Sequence, residues 1–228
     1  MCIRDSICAA ISIAITLYYF EVSKIVGSLH WPIAVMVGIL VSISGLLCTK
    51  WVFLWRAAPR TDLAHWNSGR IWAWSVVFCT YNVFTTYFGD LMLGGPLMNL
   101  FLSLMGANIS PSAFVGSSFI YDWDLVTIDS NAVIKCCASL TPHIIENSTE
   151  IAYLPVRVGH CCEVGINSLV LGGCTLSNGA SLAHSSRASA IMVYNKPLLY
   201  SGSPAISTIQ NPHGHSTSLP EANCFRMI

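Results

Sequence analysis

The sequence predicts a membrane α-helical hairpin plus interfacial helices, followed by a left-handed parallel β-helix of hexapeptide repeats. Three observations carry that prediction. Long and nearly uncharged apolar runs fill the first 106 residues. Between Ile128 and Ala188 an aliphatic residue returns at almost every sixth place. Four places after nearly every one of them stands a small residue.

Composition sets the outer bounds. Of 228 residues, 54% are hydrophobic and 10% charged, and the mean hydropathy is +0.60, outside the range of ordinary soluble domains. The excess lies between Ile7 and Gly106, whereas the Gly, Asn, Ser and Asp of turns gather in the second half,. Net charge is zero and no run of Lys or Arg occurs, so the electrostatic footprint of a nucleic-acid binder is missing. Seven of the ten cysteines sit in apolar segments (Cys8, Cys48, Cys79) or in adjacent pairs (Cys136 with Cys137, Cys161 with Cys162), and none forms CxxC. They are expected to be reduced thiols serving as small hydrophobes in a cytosolic domain.

Ile7 to Leu29, broken only by Glu21 and Lys24, is long enough to span a bilayer,. Ile33 to Trp55 holds one charge, Lys50, and ends in tryptophans suited to an interface,. With Trp31 and Pro32 between them, the two make the hairpin. Arg56, Arg60 and Arg70 follow, which by the positive-inside bias puts the rest of this integral membrane chain on the cytoplasmic side. The leader "MCIRDS" fits nothing downstream and is expected to be a sequencing-library artefact in place of the true N-terminus. Residues 71–93, rich in Trp, Tyr and Thr and holding Asn82 and Asp90, read as an interfacial helix rather than a third span. A short helix from Pro96 to Met105, with Leu97, Leu100, Phe101 and Leu104 on its apolar stripe, ends at Gly106,. The expected divisions are 1–70 (hairpin and connector), 71–106 (interfacial helices), 107–205 (β-helix) and 206–228 (flexible tail).

Within the β-helix the ladder runs Ile128, Ile134, Leu140, then Val158, Val164, Val170, Leu176, Leu182 and Ala188. The intermediate steps fall on Glu146 and Ala152. Ala132, Ala138, Cys162, Ser168, Cys174, Ala180 and Ser186 are the small partners. Ile109 with Ala113 and Val115 with Phe119 repeat the device one residue out of phase. A six-residue period suits neither an amphipathic helix nor a long alternating strand. It suits a triangular coil of three hexads, aliphatic residues inward and small residues beside the corners.

Two interruptions mark where chemistry is expected. From Thr141 to Arg157 the pattern fails, and this excursion carries His143, Glu146 and Glu150. Scaffolds place function on such excursions, and histidine is the residue type whose unperturbed pKa lies near neutrality, which suits it as a base for an attacking amine or hydroxyl. Upstream, Asp122, Asp124 and Asp129 bracket the phase slip. Asp124 lies nineteen residues before His143, close to one coil, which suits it to orient the imidazole. His143, Asp124 and Glu146 are therefore the candidate catalytic residues. His160 and His184 are one coil plus one face apart, so a metal site, as in a metal-dependent lyase, would need a neighbouring subunit. No metal is expected.

The ordered segments "WRAAPRTDLAHWNSGRIW", "GGPLMNLFLSLMGANISPSAFVGSSFIYDWDLVTI", "TPHIIENSTEIAYLPVRVGHCCEVGINSLVLGGCTLSNGASL" and "YSGSPA" resemble the C-terminal region of polylysine-synthetase-type nonribosomal peptide synthetases. There, paired membrane helices precede hexapeptide β-helix domains related to trimeric acyltransferases. The resemblance runs from about residue 40 to 205. It implies acyl or aminoacyl transfer to an amine or hydroxyl, from a phosphopantetheine carrier-protein thioester or a CoA thioester, with no tightly bound cofactor. Homotrimers, or a pseudo-trimer of tandem copies, are implied as well. The family's Asp-Leu motif falls on Asp124 and Leu125, and its Thr-His motif on Thr141 and His143, here with Pro142 inserted. Gly202, Ser203, Pro204 and Ala205 resemble the Gly-x-Pro-Ala beside the acyl-donor groove. The adenylation and carrier domains of a full synthetase are not in this sequence, so either the chain belongs to a longer protein or its carrier is supplied separately. The competing expectation is a non-catalytic trimerising scaffold at the membrane.

Overall fold

The structure is a computed structural model that describes Glu21 and residues 31–54, 64–65, 69–147 and 150–207. The chain divides into two compact units, with Ala64–Met92 grouped with the first and everything from Leu93 onward in the second. Apart from Glu21, the expected first span lies outside the described residues, as do 208–228 of the expected tail.

In the first unit, helix α1 covers Trp31–Phe53. Its Met36–Phe53 stretch is long and apolar enough to cross a membrane, and only 17% of it is buried, unlike the core helix of a soluble domain. Ser42, Leu46 and Lys50, four residues apart, form its buried face, while Met36, Leu40, Val52 and Phe53 are exposed. Ser42, Ser44 and Thr49 donate back to the carbonyls of Gly38, Leu40 and Gly45, so these hydroxyls are satisfied within the helix. The Lys50 ammonium lies 3.9 Å from the Trp51 ring centroid,. Helix α2, Gly69–Phe84, continues through a π-helical turn at Thr85–Gly89 into Asp90–Met92. It packs on α1 and buries Ile71, Val77, Tyr81 and Phe84. The 71–93 segment is thus helical as expected.

The second unit is a three-sided parallel β-helix. Its first face stacks Asn108–Ile109, Val126–Ile128, Val156–Val158, Thr175–Leu176 and Val193–Tyr194. The second face runs from Phe114–Val115 through Val133–Ile134, Glu163–Val164 and Ser181–Leu182 to Leu199–Gly202. The third stacks Ser139–Thr141, Leu169–Leu171 and Arg187–Ala188. From Arg157 onward partners are eighteen residues apart, as in Glu163 with Ser181 and Thr175 with Val193, which is three hexads. Ile128, Ile134, Leu140, Val158, Val164, Val170, Leu176, Leu182 and Ala188 are each no more than 1% exposed. The third residue after each, except Leu140, where a strand starts at His143 instead, turns the corner: Asn131, Cys137, Cys161, Asn167, Ser185 and Ile191 have φ between 52° and 59°, and Gly173 and Gly179 have φ 76°. The next residue is small and buried at Ala132, Ala138, Cys162, Ser168, Cys174, Ala180 and Ser186, where it enters the prism as the chain bends, whereas Met192 after the last corner is exposed.

Both ends are closed. Tyr194 and Tyr200 take the inward places above Leu176 and Leu182, edge to face with centroids 4.6 Å apart. Ala205–Ser207 folds back antiparallel on Leu199–Gly202. At the start, helix α3, Pro96–Leu104, covers the first coil. The expected stripe of Leu97, Leu100, Phe101 and Leu104 is corrected here. The buried stripe is Met98, Phe101, Leu102 and Met105, whereas Leu97, Leu100 and Leu104 are exposed. The reason is Asn99, whose amide donates to the Ala113 carbonyl at 2.7 Å and turns that side of the helix onto the prism. The first coil is likewise irregular. Ser117, 1% exposed, takes the place expected for Phe119, which is 43% exposed. Ile120 pairs with Leu140, so five residues separate it from Val115 and eight from Ile128.

The cysteines also divide. Cys48, Cys79, Cys136, Cys137, Cys162 and Cys174 are free thiols, as expected. Cys161 is disulfide-bonded, which corrects the expectation for that residue.

Candidate functional site

The two interruptions of the repeat meet at one corner. Thr127 pairs with Arg157, thirty residues on instead of eighteen, so twelve residues are inserted between the second and third coils. They form an antiparallel hairpin of His143–Asn147 and Glu150–Tyr153 rather than an irregular loop, with His143 opposite Tyr153. Twelve is two hexads, which is why the six-residue count survives across the excursion. The hairpin leaves the third-face corner of the second coil. In the first coil, directly beneath, the extra residues form a 3-10 turn at Trp123–Leu125 with Asp122 at its start in the left-handed conformation, φ 50° and ψ 54°.

His143 and Asp122 meet there, Nδ1 to Oδ2 at 2.5 Å. The carboxylate side chain is 5% exposed and the imidazole 20%, so the pair is largely screened from water. A carboxylate accepts, so Nδ1–H donates to Asp122 and Nε2 carries the lone pair. Tyr153 flanks the imidazole with ring centroids 6.5 Å apart. The hairpin base is tied down as Leu154 N–H donates to the Pro142 carbonyl at 2.8 Å, and Gly173 N–H to the Pro155 carbonyl at 3.0 Å. Pro142, the residue inserted in the Thr-His motif, is buried and supplies that carbonyl. Gly172 lies against it, and a Cβ there would run into the Pro142 carbonyl oxygen and come within 2.9 Å of its carbon.

The carboxylate on His143 is therefore Asp122, where the count of nineteen residues had pointed to Asp124. That count assumes an unbroken coil. Ile120 opposite Leu140 is twenty residues, which brings Asp122 beside Pro142 and so to His143. Asp124 sits half-buried in the 3-10 turn. The sequence signal for Asp122 is Ile120, an aliphatic residue twenty places before Leu140. The side chain of Glu146 lies outside the described residues.

Gly202, Ser203 and Pro204 join Leu199–Gly202 to the reversed strand Ala205–Ser207, and all three are exposed. Gly202 N–H donates to Ser186 Oγ at 3.1 Å. They occupy the corner after the second face, so one chain does not bring them to His143. His160 stands at the corner after the first face, its Nδ1 2.8 Å from Ser130 Oγ. His184 stands at the corner after the second face, where its Nδ1 accepts from Ile166 N–H at 2.9 Å. The three histidines occupy three different corners.

Fold and site together define a hexapeptide-repeat β-helix with a His–Asp pair at the root of an inserted hairpin. Solved structures similar to the chain are an N-acyltransferase from Bacillus cereus in complex with dTDP and coenzyme A (12% identity, TM-score 0.37, 45% of this chain and 65% of that one), a serine acetyltransferase from Neisseria gonorrhoeae (14%, 0.34, 72% and 65%) and a maltose O-acetyltransferase from Clostridium difficile (14%, 0.31, 46% and 65%). The chain spans just under two thirds of the length of these three. No protein-family model matches the sequence, and no curated protein sequence matches it.

Proposed function

We propose that this chain is a membrane-held acyltransferase in which His143 is the general base and Asp122 the positioning residue. The observation that carries the reading is the 2.5 Å pair of His143 with Asp122 at the one corner where the repeat is interrupted in two successive coils. Nε2 takes the proton of the acceptor amine or hydroxyl as the acceptor attacks a thioester carbonyl. The tetrahedral intermediate expels the thiolate, which recovers the proton from the imidazolium. Asp122 holds the tautomer and stabilises that imidazolium. Glu146, three residues along the hairpin, is retained as an accessory carboxylate.

The donor is a CoA thioester or a phosphopantetheine thioester on a carrier protein, which present the same arm to the site. Gly202–Pro204, on another corner, serve a donor groove only between copies, so the reading requires a homotrimer or tandem prisms. The exposed apolar face of α1 supports a membrane anchor, and the arginines after it support a cytoplasmic prism. The alternative, a trimerising scaffold without turnover, draws on exposed Ile191, Met192 and Val193 on the outer surface.

His143→Ala is expected to lower transfer from acyl-CoA or acyl-carrier donor by about 10²–10⁴-fold with unchanged circular dichroism, and Asp122→Asn to lower kcat with KM nearly kept. Full turnover in His143→Ala would overturn the mechanism. Stable wild-type trimers that transfer from neither donor would favour the scaffold.

A further inference from the structure

Cys136 and Cys137 take no part in the proposed reaction. They turn the corner between the second and third faces of the second coil, Cys137 with φ 56°. Both are exposed and neither is in a disulfide. Their sulfurs lie 3.3 Å apart in a thiol–thiol hydrogen bond, the largest cause of a rise in the Cys137 pKa above the usual thiol range. The backbone beneath them is fixed, as Asn167 N–H donates to the Cys136 carbonyl at 3.2 Å and Ala138 N–H to the Lys135 carbonyl at 3.2 Å. A rigid corner therefore presents two thiols to solvent.

Their spacing decides what they suit. Adjacent Cα atoms are about 3.8 Å apart, whereas disulfides usually need about 4.4–6.8 Å, so an internal disulfide here is strained and disfavoured. A centre bonded to both sulfurs at about 2.3 Å would subtend an angle of about 90° across their 3.3 Å separation,. A linear ion needs sulfurs almost two bond lengths apart. Tetrahedral zinc needs a wider angle and four ligands, and among the described residues no group of three His, Cys, Asp or Glu is placed to hold a metal. A pyramidal trivalent centre that already carries one organic substituent matches the narrow angle and is completed by two sulfurs.

We propose that Cys136 and Cys137 form a bidentate site for a trivalent pyramidal thiophile of the organoarsenical class. With an arsenoxide each thiol gives its sulfur to arsenic and its proton to the oxygen. Two As–S bonds replace the bonding to oxygen, one water leaves, and arsenic remains trivalent. The test treats the purified full chain with phenylarsine oxide in excess glutathione and reads intact mass. One phenylarsenic adduct per chain is expected, removed by ethanedithiol and lost in Cys136→Ser and in Cys137→Gly, the latter suited to a positive φ. Retention of the adduct in either variant, or its displacement by glutathione alone, would overturn the site.

Discussion

Ile191 sits at the last third-face corner with φ 59°, a conformation that a β-branched residue adopts only under constraint. Asparagine holds the equivalent place in the hexad at Asn131 and Asn167, at the other two corners. Ile191 is 69% exposed, so little packing is lost on replacement. Ile191→Asn is expected to stabilise the fold by about 1 kcal/mol through relief of the left-handed cost, read as a rise in Tm. At this scale sequence reasoning is strongest for inward residues, because Val158 or Leu176 has one destination in a six-residue period. It is weakest for residues beside an interruption. Asp122 and Asp124 have the same chemistry, and only the pairing of Ile120 with Leu140 separates them.

At the scale of elements, the inserted hairpin depends on the coil above it. Gly172 lets the Pro142 carbonyl pass where a methyl group would stand, and the obstruction is backbone that cannot rotate away. Gly172→Ala is expected to destabilise by about 1–3 kcal/mol and to lower transfer by moving His143 off Asp122. Chemical denaturation together with kcat would check it, and unchanged values of both would contradict the close approach. Helix α3 shows the limit of periodicity. Leu97, Leu100 and Leu104 lie along one side and Met98, Phe101, Leu102 and Met105 along another, and apolarity alone does not rank them. The choice falls to Asn99 and its carbonyl partner fourteen residues away, a contact that becomes predictable only once the coil is built.

For the molecule as a whole, two thiols inside the prism couple stability to pH. Burial pushes Cys174 from 9.0 up to about 12 and also raises Cys162. Raised values mean the folded chain holds protons that the unfolded chain releases first. Stability is therefore unaffected below pH 9 and is expected to fall as pH rises from there toward 12, with Cys174→Ala flattening the slope. Urea midpoints across that window would check it. The prism was readable because an inward aliphatic residue recurs nine times in one six-residue register. The arrangement at Gly202–Pro204 was not, since it depends on which corner the last strand reaches. The tyrosine pair gives the fold a stopping rule. Because aromatic rings fill the final cross-section and the closing strand reverses, growth along the axis ends there. Whole eighteen-residue units spliced in between Ala188 and Val193 lengthen the column while His143 and Asp122 stay where they are.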